Sequence, residues 1–183
     1  MDKSLKPLTD YLVALEIEKV PHTQSTYLKH LISVYHFMRQ QGCTEEVCRA
    51  GLFHSIYGTE LFQGFKLPLD RRGELRELIG QRAEQLAYWN CAMDRTSFDR
   101  ALDQTIGPYC FVDRITGQSV ELDGRDYDDL CRVHLYDFLE QVPRSQWWDY
   151  RRDSYRRMAN RLGGRASEAY DEAFAAAPAA KKP

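Results

Sequence analysis

Apolar residues recur at three- and four-residue intervals through most of this chain, the spacing of helices that bury one face. Leu8, Leu12, Leu15 and Ile17 form the stripe of a first helix over 5–20. Pro21 ends it, because proline lacks an amide donor and restricts the residue before it. In a second helix over 26–39, Tyr27, Leu31, Val34, Tyr35 and Met38 make the core face and His36 points away. Residues 40–43 read as a turn. A third helix over 44–56 follows, with Thr44 as N-cap and Glu45 and Glu46 at its positive end. Ala50-Gly51 permits a close helix contact there, and Gly58 marks the end of the segment. After an irregular stretch over 64–72, Leu75, Leu78, Ile79, Ala83, Leu86 and Ala87 carry a helix over 74–90 through Gly80. A shorter helix is expected over 96–102.

The period changes at 109–122. Cys110, Val112 and Ile115, then Thr116-Gly117, then Val120 and Leu122 predict a small hairpin. Helical spacing resumes over 126–141, where Leu130, Val133 and Asp137 fall within about 60° on one side with His134 beside them. Pro143 closes that helix. Two more are expected over 145–162 and 165–174, separated by Gly163-Gly164, with Trp147 and Trp148 as packing anchors. The fold class predicted is mostly α with one small β-hairpin: a single domain over 1–175 and a disordered tail over 176–183, whose small residues offer no bulky anchor.

Composition narrows the functional classes. A chain of 183 residues is long enough for one good core. A formal net charge of -2 supplies no global basic field, which argues against nucleic acid as a partner. The arginines at 151, 152, 156 and 157 are interspersed with Asp149 and Asp153 and read as an ion-paired helix face. Five cysteines without framework spacing fit a reducing compartment, and Cys43 and Cys48 read as small, partly buried residues. No segment is long and apolar enough for a membrane span or a leader, so the expected location is cytoplasmic.

Candidate chemistry centres on two histidines. At about 1.5 Å per residue, His30 lies roughly 18 Å before the 40–43 turn and His54 roughly 15 Å after it, so antiparallel helices bring the two imidazoles level. His30 falls at the edge of its helix's core face. A lone histidine on such a face is usually a packed core residue; a level pair suits a metal site or a polar pocket between helices. Asp137 is the best carboxylate candidate, since it interrupts a buried face and must there be paired, hydrogen-bonded, metal-bound or neutralised. His134, three residues earlier, can join it or act as its hydrogen-bond partner.

His30, the apolar helix after it and the run AGLFHS over 50–55 resemble the HD-domain superfamily of helical metal-dependent phosphohydrolases. That likeness implies an HD-like helical bundle with His30, His54 and Asp137 as ligands to a divalent metal ion. The stretch YLKHLISVYHFMRQQGCTEEVCRAGLFHSIYGTE is similar, more closely, to an HD-related family labelled DUF6817. This similarity is expected to run from His22 to about Arg144, taking in DRITG over 113–117 and HLYDFLEQ over 134–141. The family carries no established reaction, so the likeness speaks to fold more than to function. One departure stands out. Ser55 occupies the position where the HD pattern has an aspartate ligand, and His22, Glu60 and Asp94 are the residues available to compensate.

In the hydrolase reading, Glu60 is a base near the nucleophile and His134 a second acid–base residue. Tyr57 and Thr59 line the pocket mouth, unless they cap and pack against the turn. Lys66 and Arg82 meet an anionic, phosphorylated or nucleotide-like substrate. Ser55 motivates the alternative of a metal-free module binding a small ligand or partner on a degenerate HD fold. An HD-type iron oxygenase is a further alternative, though five histidines make a dinuclear set hard to assemble. Homo-oligomerisation is left open, with Trp147 and Trp148 as contributors to a dimer surface.

Overall fold

A computed structural model describes residues 5–22 and 25–178, with 21, 22 and 25 by backbone only. The disordered tail expected over 176–183 falls mostly outside the described residues, as does the side chain of His22. The fold is mostly helical, and the chain packs as two units, Met1–Ala92 and Met93–Pro183. Among the described residues, no helix is long and apolar enough to cross a membrane.

In the first unit, α1 (Lys6–Ala14) stops well before residue 20, because Glu16 adopts a left-handed conformation at φ 57° and a short 3-10 turn, Ile17–Lys19, follows. Leu8, Leu12 and Ile17 are buried as the stripe predicts. A two-residue antiparallel ladder, β1 (Pro21–His22) with β2 (Ser25–Thr26), leads into α2 (Tyr27–Gln40). Thr26 starts that helix by accepting the Lys29 amide on its hydroxyl. Every residue of the predicted α2 core face is fully buried, and His36 is exposed.

Thr44 caps α3 (Glu45–Leu52) through the Val47 amide, as expected. The helix ends four residues earlier than its spacing suggests. Phe53 leaves helical geometry at φ -112°, ψ 15°, and the chain continues in tight turns closed by Ile56 N–H to Phe53 O and Gly58 N–H to Ser55 O. Gly51 does permit a close contact: a Cβ there would sit 2.1 Å from Met38 Sδ on α2. The helix expected over 74–90 is two, α4 (Arg72–Ile79) and α5 (Gln81–Ala92). Gly80 separates them at φ 97°, a conformation that disfavours any side chain.

In the second unit, Asp94 caps α6 (Arg95–Asp99) and the hairpin forms as predicted. Strand β3 (Tyr109–Val112) pairs with β4 (Ser119–Leu122), and the turn is held by Asp113 Oδ1, which accepts the amides of Ile115 and Thr116. Asp123 caps α7 (Gly124–Gln141). The helix expected over 145–162 is only α8 (Arg152–Leu162): the preceding residues form turns, and Arg151 takes φ 44° at the N-cap. Glycines at 163 and 164 then allow the turn into α9 (Gly164–Ala175). Trp148 packs its edge on Phe174, whereas Trp147 is 54% exposed. The basic stretch is neutralised as expected. Arg152, Arg156, Arg157 and Arg161 of α8, and Arg151 before it, pair with Asp149, Asp171, Asp103, Asp128 and Asp99 respectively.

Candidate metal centre

His30 projects from the third residue after the start of α2's core face, and His54 lies just past the end of α3 rather than on it. Both are 3% exposed. Their Nε2 atoms approach to 3.4 Å with the rings perpendicular, at 87°. The level placement expected from helix geometry is therefore present, but the last step comes from a turn.

That turn fixes His54 on two sides. Its Nδ1 lies 2.8 Å from the Gly51 carbonyl, an acceptor only, so Nδ1 carries the proton and Nε2 presents a lone pair toward His30. Its own carbonyl accepts from Asn90 Nδ2 at 2.8 Å and from the Cys91 thiol at 3.2 Å, both on α5. A backbone carbonyl on the far nitrogen of an imidazole is the usual means of orienting a histidine ligand.

Asp137 is half-buried on α7, where Gln141 Nε2 donates to its Oδ1 at 2.6 Å. In the first unit, His30 and His54 each offer one ring nitrogen toward a common point. Such a pair can serve as two of the ligands of a divalent metal ion. The donors fit such an ion. Two nitrogens each about 2.05 Å from a tetrahedral metal stand about 3.3 Å apart, close to the separation of the two imidazoles.

Ser55 is engaged elsewhere in the same unit: its hydroxyl is 2.8 Å from Tyr27 Oη, both groups buried. Tyr27 lies one turn before His30 and Ser55 directly follows His54, so α2 and the turn are joined by two adjacent polar rungs, one imidazole pair and one hydroxyl pair.

The other residues singled out from sequence take varied positions. Tyr57 donates to Glu84 at 2.8 Å, and burial followed by that carboxylate pushes its phenol well above the ordinary tyrosine range. Thr59 is buried and accepts the Phe62 amide, so it caps the following turn. Arg82 pairs with Glu46 at 2.8 Å. Lys66 and Glu60 are exposed. His134 Nε2 accepts from Arg151 at 2.7 Å and lies 3.4 Å from Tyr155 Oη. Asp94 serves as the α6 cap. Cys48 behaves as a buried, unreactive thiol, its pKa pushed up to about 12 by burial and then by Cys43 and Glu45.

Residues 11–95 match the family model described as Domain of unknown function (DUF6817). That segment is similar to the DUF6817 family. It contains His30 and His54 but ends before the DRITG hairpin and Asp137, so the similarity expected to run to Arg144 is established only as far as residue 95. No curated protein and no solved structure matches the chain.

Sequence patterns missed two polar networks. In the first unit, Glu84 is fully buried and accepts from Tyr57, Arg72 and Arg76. Burial works against its charge, but those hydrogen bonds outweigh it and hold the carboxyl below its ordinary range. In the second unit, Asp99 receives Arg151 and Ser154. Glutamate and aspartate at ordinary helical positions carry no local signal of such distant partners. Asn90 and Cys91, which hold His54, were likewise silent.

Proposed function

We propose that this chain is a divergent HD-type, metal-dependent hydrolase acting on a small phosphorylated or nucleotide-like molecule. The observation that supports it most is the pair of imidazole nitrogens at 3.4 Å, one oriented by the Gly51 carbonyl. His30, His54 and Asp137 would hold the ion. A divalent ion there supplies an activated water or polarises a phosphoryl oxygen. Two neutral imidazoles and one carboxylate leave a divalent ion with a net charge of +1, which favours an anionic ligand.

The chain's own groups then divide the remaining work. Exposed Lys66 attracts the anion, and exposed Glu60 is the base. Arg82 reaches a phosphate only by exchanging it for Glu46. Because arginine only donates, His134 takes an acid–base part only once Arg151 has left its Nε2. Tyr57 and Thr59 shape the mouth from behind, held by Glu84 and the turn.

The Tyr27–Ser55 pair favours a second reading, a metal-free ligand-binding module, because a neutral hydroxyl stands where a further anionic ligand would strengthen the site. A two-histidine, one-carboxylate set also suits mononuclear iron, which keeps the oxygenase alternative within reach of the same assay. Purified protein supplied with manganese, zinc or ferrous ion should release phosphate from at least one member of a nucleotide and sugar-phosphate panel. His54→Ala should lower that rate at least about 100-fold, since even outer-shell partners of a metal cost about 10–100-fold. Turnover unaffected by His54→Ala contradicts the proposal, and absence of turnover with every metal favours the binding module.

A further inference from the structure

Asn90 has two amide ends in different situations. Nδ2 donates to the His54 carbonyl at 2.8 Å, whereas Oδ1 is buried and meets no hydrogen-bond donor among the described residues. The residue is only 2% exposed, so bulk water does not satisfy that oxygen. Reversing the amide would not help: it would set Oδ1 against the His54 carbonyl, acceptor against acceptor, and leave the NH2 group stranded instead. The orientation is therefore fixed by chemistry. A rigid amide with Nδ2 on the His54 carbonyl keeps Oδ1 within about 5 Å of it.

Buried amide oxygens in folded proteins are nearly always paired, with protein or with ordered water. One left over beside a residue whose other nitrogen is already oriented points to a donor that is not part of the polypeptide. We infer that Asn90 belongs to the histidine site, with Nδ2 positioning His54 and Oδ1 accepting a hydrogen bond from a water held at the His30–His54 pair. In the metal-loaded state proposed above, on which this part of the inference rests, that water is a ligand of the ion and Asn90 orients it. In the metal-free state the same water bridges Oδ1 and an imidazole nitrogen. The role is positional, since the amide neither titrates nor attacks.

Two measurements test this. In a high-resolution crystal structure, with and without cobalt(II), a water should lie within hydrogen-bond distance of Asn90 Oδ1 and contact either the ion or one of the two imidazoles. A dry Oδ1, a protein donor on it, or a water isolated from both histidines overturns the inference. If the water bridges to an imidazole but no cobalt binds, the metal reading fails while the role of Asn90 stands. Asn90→Leu, close in volume and unable to hydrogen-bond, should weaken cobalt binding about 10- to 100-fold and alter the visible spectrum of the bound ion. Unchanged affinity together with an unchanged spectrum would make Asn90 a packing residue only.

Discussion

His54 and His134 are both almost fully buried, 3% and 1% exposed, yet their Nε2 atoms face opposite kinds of group. His134 Nε2 meets a guanidinium, a group that only donates, so its lone pair is occupied by Arg151. His54 Nε2 meets another imidazole, while its Nδ1 proton is tied to the Gly51 carbonyl. Burial alone does not distinguish these two histidines. The separation lies in which nitrogen the protein has already satisfied, and with what.

The largest expected effect that sharpens this contrast is on Arg151. Asp99 receives the Arg151 guanidinium on both oxygens, and both side chains are largely buried. Removing one partner of a buried pair leaves the other uncompensated, so Arg151→Ala should destabilise the fold by about 3–5 kcal/mol. Metal content should not change. Arg151→Gly should lose about 1 kcal/mol less, because glycine takes φ 44° without the penalty a side chain carries there. Urea unfolding of the two variants measures both figures, and a metal content that falls with Arg151→Ala would collapse the distinction between the two histidines.

A smaller effect is expected at Glu84. Its two arginines keep some solvent access, 19% and 42% by side chain, so Glu84→Gln should cost about 2 kcal/mol at neutral pH. Glu84's pKa is lowered on folding, so the unfolded chain binds its proton more readily. The stabilisation is therefore complete above the unfolded value of about 4.3 and is lost as pH falls through the lower folded value. Urea midpoints measured from neutral pH downward should converge for wild type and Glu84→Gln in acid. Parallel curves would show that the carboxylate's charge is not what the network uses.

Periodicity read the helices well where their partners were apolar. Tyr27, Leu31, Val34, Tyr35 and Met38 needed only spacing to be placed in the core, and the hairpin needed only alternation around Thr116-Gly117. Element ends were less legible. Ala83 and Leu86 stay in phase with Leu75 and Ile79, so the break at Gly80 is invisible to a periodic test. The apolar run after Leu52 hides the end of α3, which is set by tight turns. The same limit applies to the site. His30 and His54 were visible as a level pair, and Asp137 as a polar interruption of a buried face. Nothing local reveals Glu84, Glu46 or Arg151 as the partners of Tyr57, Arg82 and His134; they are distant in sequence and found only by folding.

The central claim is that the imidazole pair and Asp137 hold a metal ion, and metal analysis tests it most directly. Protein purified without an affinity tag should carry close to one equivalent of a divalent transition metal, and the His30→Ala/His54→Ala double variant, prepared identically and shown to be folded, should carry none. Full metal content in that double variant, or a wild-type protein that stays metal-free after exposure to zinc, manganese and ferrous ion, would contradict the account.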